Sequence, residues 1–189
     1  MNRVIILHAW GNTSREHWYP WLKTELKTRG YAVTIPNFPD TDNPILSKWL
    51  QKLSQEEIDQ NTILVGHSLG SVTILRYLQS LPSAIKILAV VLVAGFFRPN
   101  PAVDEKPIFN FLTPKWEWDQ IIPRAKQWFV INSDNDPYIP LKDSQELSEN
   151  LHQKLILMPG AGHFSATTDP KYTQFSYLLE IFNKLENNG

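Results

Sequence analysis

The feature that most restricts this chain is a set of six short apolar runs: residues 4–7 (VIIL), 32–35 (AVTI), 63–65 (ILV), 88–93 (LAVVLV), 128–131 (WFVI) and 155–157 (LIL). Each is mostly continuous rather than alternating. A strand with one wet face alternates apolar and polar residues, whereas a strand covered on both faces is apolar throughout. The runs therefore read as strands of a parallel sheet with helices on each side. Helical spacing occupies the gaps. Trp18, Trp21, Leu22 and Leu26 form a stripe that stops at Gly30. Ile45, Leu46, Trp49, Leu50 and Leu53 form a second, and Val72, Leu75 and Leu78 a third. Residues 141–151 and 172–185 follow the last two runs. Strand and helix alternate throughout, which predicts one doubly wound α/β domain over residues 1–189 with right-handed crossovers.

The segment 96–122 breaks this rhythm. It carries Pro99, Pro101, Pro107 and Pro114 together with Phe96, Phe97, Phe109, Phe111, Trp116 and Trp118. One reading is a lid whose aromatics, Phe96, Phe97 and Trp116 among them, line an apolar substrate pocket. The other is a proline-punctuated crossover whose rings simply cover the sheet.

Composition excludes several functions. Net charge is −1 and no basic run occurs, so an electrostatic case for nucleic acid or an anionic membrane has no support. The chain has no cysteine, which removes disulfides, thiolate metal sites and a cysteine nucleophile together. Residues 4–7 are too short an apolar run for a signal peptide, and no stretch reaches the roughly 20 apolar residues of a membrane helix. The expected location is cytoplasmic. The pattern does not bear on oligomeric state.

Chemistry enters at Gly66-His67-Ser68-Leu69-Gly70. This Gly-x-Ser-x-Gly lies between the third strand and the third helical stripe, the strand–turn–helix setting of a nucleophile elbow. A serine there sits on a strained turn, and side chains two residues to either side would collide with the neighbouring strand and helix. A serine hydroxyl needs a histidine base oriented by a carboxylate. Two histidines follow Ser68. His152 lies in a charged helical stretch and reads as a solvated face. His163 lies in a Gly-rich turn directly after the last strand, at the same sheet edge as Ser68, and is the expected base. Past the fifth strand, Asp134 and Asp136 both stand where the acid is needed, and spacing does not choose between them. The oxyanion hole requires two backbone N–H groups. Leu69 supplies one; the loop His8-Ala9-Trp10-Gly11-Asn12 supplies the other, from Trp10 or else Ala9 or Gly11. His8 reads as a residue that shapes this loop. No metal-ligand spacing, phosphate loop or dinucleotide fingerprint is present, so no cofactor is expected.

The stretches His8 to Ser14, His17-Trp18-Tyr19-Pro20-Trp21-Leu22, Gly66 to Gly70, Ala94-Gly95-Phe96, Ser133 to Pro140 and Gly160-Ala161-Gly162-His163-Phe164 resemble the small serine hydrolases related to retinoblastoma-binding protein nine, closest to their bacterial YdeN-like branch. The resemblance implies a compact α/β-hydrolase with strand order 2-1-3-4-5-6 and a Ser-Asp-His triad. The family's acid stands four residues before the proline of an Asp-x-x-(Ile or Val)-Pro stretch. That position is Asp136, ahead of Pro140. Many relatives have Gly after the first His, where this chain has Ala9. Retinoblastoma binding runs through a cysteine motif and is not carried over. The resulting expectation is a serine hydrolase acting on a small carboxylic ester, with an amide or thioester as variants. The alternative is a hydrolase-shaped binding or regulatory protein with little turnover.

Overall fold

The computed structural model describes residues 2–187. Its strands are β1 (Arg3–Leu7), β2 (Ala32–Thr34), β3 (Thr62–His67), β4 (Ile87–Val93), β5 (Ala125–Asn132) and β6 (Leu155–Leu157). Its α-helices are α1 (Tyr19–Thr28), α2 (Leu46–Leu53), α3 (Leu69–Ser80), α4 (Phe109–Leu112), α5 (Trp118–Ile121), α6 (Leu141–Asn150) and α7 (Tyr177–Asn187). The strands form one parallel sheet in the order β2-β1-β3-β4-β5-β6. This is the doubly wound α/β-hydrolase arrangement.

The continuous apolar runs have a direct structural cause. Successive strand residues point to opposite faces, and here both faces are dry. Ile5, Leu7, Leu64, Val90, Leu92 and Val130 pack into the core under α2, α3 and α6. Val4, Ile6, Ile63, Val65, Val91 and Ile131 pack into a second core under α1 and α7. The edge strand β6 is only partly covered.

The chain turns back on itself beside β1. From β1 it passes outward to β2, then returns to β3 on the other side of β1. The connections after β1 and β3 therefore leave on opposite faces, and a crevice opens between their C-terminal ends, where open α/β sheets place ligands.

Two expectations are modified. The final helical stretch is interrupted: a 3-10 turn at Pro170–Thr173 is followed by an extended Gln174, and α7 starts at Tyr177. The break lets Tyr172 and Phe175 both pack on Phe164, with Phe175 stacked at 5.2 Å. The segment 96–122 is chiefly a crossover. Arg76, buried in α3, donates to the carbonyls of Phe111, Pro114 and Lys115 at 2.7–3.1 Å and lies 3.3 Å over the Trp116 ring. Prolines and short helices leave these carbonyls without helical partners, and one guanidinium satisfies several of them.

Candidate active site

Ser68 joins the end of β3 to the start of α3. Its backbone, at φ 53° and ψ −117°, lies in a region L-residues avoid at a cost of about 1–3 kcal/mol. The flanking glycines are required by contact distance. A Cβ on Gly66 would stand 2.6 Å from the Ser71 nitrogen, and one on Gly70 would stand 2.3 Å from the Leu7 carbonyl oxygen. The turn is tied down by Ser68 N–H to the Val93 carbonyl and by Ser71 Oγ to the Gly66 carbonyl, both at 2.9 Å.

Ser68 lines a cavity of about 350 Å³ at the crevice between β1 and β3. Its wall includes Trp10, Leu69, Phe96, Ile108, Tyr138 and His163. The His163 ring and the Asp136 carboxylate meet at 2.8 Å between Nδ1 and Oδ2. The Asp136 side chain is fully buried there, and its Oδ1 accepts the N–H groups of Tyr138 and Ile139. A carboxylate held this way fixes the Nδ1–H tautomer and leaves Nε2 as the ring's acceptor. Among the described residues no hydrogen bond joins Ser68 to His163; a side-chain rotation would have to close it, as catalytic contacts in unliganded sites often require. Asp134 is separate from this pair: it is exposed and accepts the Gly160 N–H at 2.8 Å. His152 is exposed just past α6 and is not among the residues lining the cavity.

The β1 loop narrows the choice of N–H donors. The Ala9 N–H donates to the Tyr19 hydroxyl at 3.1 Å, and the Gly11 N–H to the Thr41 carbonyl at 3.0 Å. Among the described residues the Trp10 and Leu69 N–H groups have no partner within the protein. His8 shapes this loop as expected. Its Nε2 accepts the Phe38 N–H at 3.1 Å, its Nδ1 donates to the Ala9 carbonyl, and burial lowers its pKa.

Of the three proposed pocket aromatics, only Phe96 reaches the cavity. Trp116 stacks on Trp118 at 5.3 Å beneath Arg76, and Phe97 packs edge-on against Trp118 at 5.7 Å. Both belong to the crossover.

Two histidines that spacing alone did not single out are central to the site. His67 is fully buried, and burial drives its pKa well below the ordinary value. Its Nε2–H donates to the His163 carbonyl at 2.8 Å, so its Nδ1 accepts from the Tyr19 hydroxyl at 2.6 Å. His17 donates from Nε2 to Asn12 Oδ1 and accepts the Ala166 N–H at Nδ1. Burial lowers its pKa too. A third group of links stitches the acid loop to the His163 loop: Ser133 Oγ accepts the Ala161 N–H at 3.1 Å and Asn135 Oδ1 accepts the Gly162 N–H at 2.7 Å. The sequence did carry a signal for His67: a histidine on a strand covered on both faces needs partners for both ring nitrogens. Among the described residues no group of three or more His, Asp or Glu side chains is placed to hold a metal ion, and no helix is long and apolar enough to cross a membrane.

Comparison with known proteins finds similar chains and a similar fold. A family model described as serine hydrolase matches residues 4–183. YdeN of Bacillus subtilis, named as a hydrolase, is 34% identical over 95% of this chain and 93% of its own length. The serine hydrolase RBBP9 of Rattus norvegicus is 28% identical over 93% of this chain and 89% of its own. The crystal structure of the B. subtilis ydeN product superposes with a TM-score of 0.92, covering 99% of this chain and 100% of that one at 31% identity.

Proposed function

This chain belongs to the serine hydrolase family, and from that premise we propose that it cleaves a small carboxylic ester through an acyl intermediate on Ser68. In this reading the whole chain is one hydrolase domain. The Ser68 oxygen attacks the ester carbonyl while His163 Nε2 takes its proton. The C–O bond to the alcohol then breaks, and His163 returns the proton to the departing oxygen. Water repeats the sequence on the acyl group and releases the acid. Asp136 keeps the proton of His163 on Nδ1 and stabilises the imidazolium. The N–H groups of Leu69 and Trp10 hold the oxyanion, each worth about 2.7–4 kcal/mol in the transition state.

The observation that carries this reading is the 2.8 Å contact between His163 and a fully buried Asp136, on the wall of the cavity that the strained Ser68 also lines. The unpartnered Trp10 and Leu69 N–H groups add support. Amides and thioesters would be cleaved by the same steps. The test is labelling with a fluorophosphonate probe together with hydrolysis of p-nitrophenyl acetate. Wild type is expected to do both and Ser68→Ala neither. A folded wild type that resists the probe refutes the proposal.

A further inference from the structure

The cavity contains one carboxyl group that bond cleavage does not use. Glu105 precedes the 3-10 turn Lys106–Ile108 and lies on the cavity wall near Phe96, Val103 and Ile108. It is only 4% exposed. Its Oε2 accepts the Asn100 N–H at 2.8 Å, while among the described residues Oε1 has no partner and is not sealed from solvent. Among the described residues Glu105 enters no ion pair. Arg98, on the same connection, has its guanidinium on Asp143 and Glu146. Among the described residues that line the cavity, Glu105 is the sole Asp, Glu, Lys or Arg.

A carboxyl group buried without a counter-ion is costly. Here burial raises its pKa, with the negative Asp143 adding to the effect against the Asn100 hydrogen bond. Holding the Asn100 turn does not account for it, since the amide oxygen of a glutamine would accept the same N–H. Apolar pockets commonly place a single polar group where it selects a ligand. Trp10, Phe96 and Tyr138 line the same cavity, and aromatic rings suit an organic cation.

We propose that Glu105 is a specificity-determining residue that recognises a protonated amine on the substrate, so that the preferred esters carry an alkylammonium group. The word substrate rests on the hydrolase reading above; the recognition of the cation does not. The ammonium supplies the counter-ion that the fold withholds, and donates to Oε1.

The test compares n-hexylammonium with hexan-1-ol at about pH 8, where the amine is charged and an ordinary carboxyl ionised. Each is measured as a competitive inhibitor of p-nitrophenyl acetate hydrolysis, and by calorimetry on Ser68→Ala, which needs no turnover. A charge-assisted hydrogen bond in a pocket predicts a preference for the ammonium of roughly 10- to 100-fold. Glu105→Gln is expected to lose most of that preference while binding hexan-1-ol within about threefold of wild type, the sign of an intact cavity. Equal binding of amine and alcohol by wild type overturns the proposal without recourse to any variant. A preference that survives Glu105→Gln overturns it as well. Absent turnover with a retained ammonium preference would instead count against the hydrolase reading alone.

Discussion

The Tyr19 hydroxyl offers the sharpest test of how the site is held. Tyr19 is fully buried. Its oxygen accepts the Ala9 N–H at 3.1 Å and donates to His67 Nδ1 at 2.6 Å. Tyr19→Phe keeps the ring and removes that oxygen, leaving one buried donor and one buried acceptor unpaired. Each such group costs about 1–3 kcal/mol, so the two together predict a loss of about 2–4 kcal/mol after some relaxation. A hydroxyl without these partners would change stability by less than about 0.5 kcal/mol. The assay is urea unfolding followed by a tryptophan signal, with the shift read in the midpoint at an unchanged slope. The same variant should lose kcat more than it raises KM, because Ala9 adjoins the proposed donor Trp10 and a loosened loop weakens transition-state contacts. Stability within about 0.5 kcal/mol of wild type would refute the network. A large stability loss with kcat intact would separate the network from the site.

Two further outcomes follow from the same contacts. Asp136→Asn turns an amide donor or a weaker acceptor toward His163 Nδ1 and is expected to lower kcat by about 10³–10⁴-fold. Asp134→Asn can still accept the Gly160 N–H and should stay within about threefold of wild type, so equal losses would reject Asp136 as the acid. Acid should destabilise the fold before most carboxylates titrate. His67 and His8 have lowered pKa values in the folded state, so below about pH 6.5 the unfolded chain takes up protons that the folded chain refuses. Their stabilising effect is complete above that pH and falls by up to about 1.4 kcal/mol per pH unit for each as the pH drops. Urea midpoints at pH 7.5, 6.5 and 5.5 measure this, and a flat or rising stability toward pH 5.5 would contradict it.

What the sequence revealed was set by how local each signal is. The runs on β1, β3, β4 and β5 are apolar because two cores cover them, so the strands could be read without any knowledge of pairing. Gly66 and Gly70 were legible for a similar reason: the elbow's close contacts lie within a few residues and the adjoining β1. Asp134 and Asp136 were not separable by spacing, because the choice depends on which carboxylate reaches a histidine 27 residues away; the family resemblance pointed to Asp136. Phe97 and Trp116 misled because aromatic content does not encode direction. The Trp116 ring is held by Arg76, an unremarkable residue in the middle of α3 as the sequence reads, and Phe97 packs on Trp118 beside it. His67 and Tyr19 were overlooked because neither has a partner nearby in sequence, and their bond spans 48 positions.

That bond explains why a histidine occupies the last position of a strand whose middle, Ile63 to Val65, is apolar and buried. The proposed catalytic groups arrive on loops from four strands, β1, β3, β5 and β6, and a parallel sheet does not bond its loops to one another. His67 supplies the missing connections at the switch point. Through Tyr19 it reaches the Ala9 loop, and through the His163 carbonyl it reaches the loop after β6. An aliphatic side chain would pack there but would lose both bonds, leaving the Asn12–His17–Ala166 bridge to hold the two loops together. A permanently charged one would place a cation beside the ring of His163, whose centroid lies 5.1 Å away, and oppose the imidazolium that the proposed reaction forms. A neutral imidazole, kept neutral by its burial, ties the loops together without adding charge. The cost of that choice is the acid sensitivity predicted above, since the same histidine that organises the site must stay unprotonated for the fold to persist.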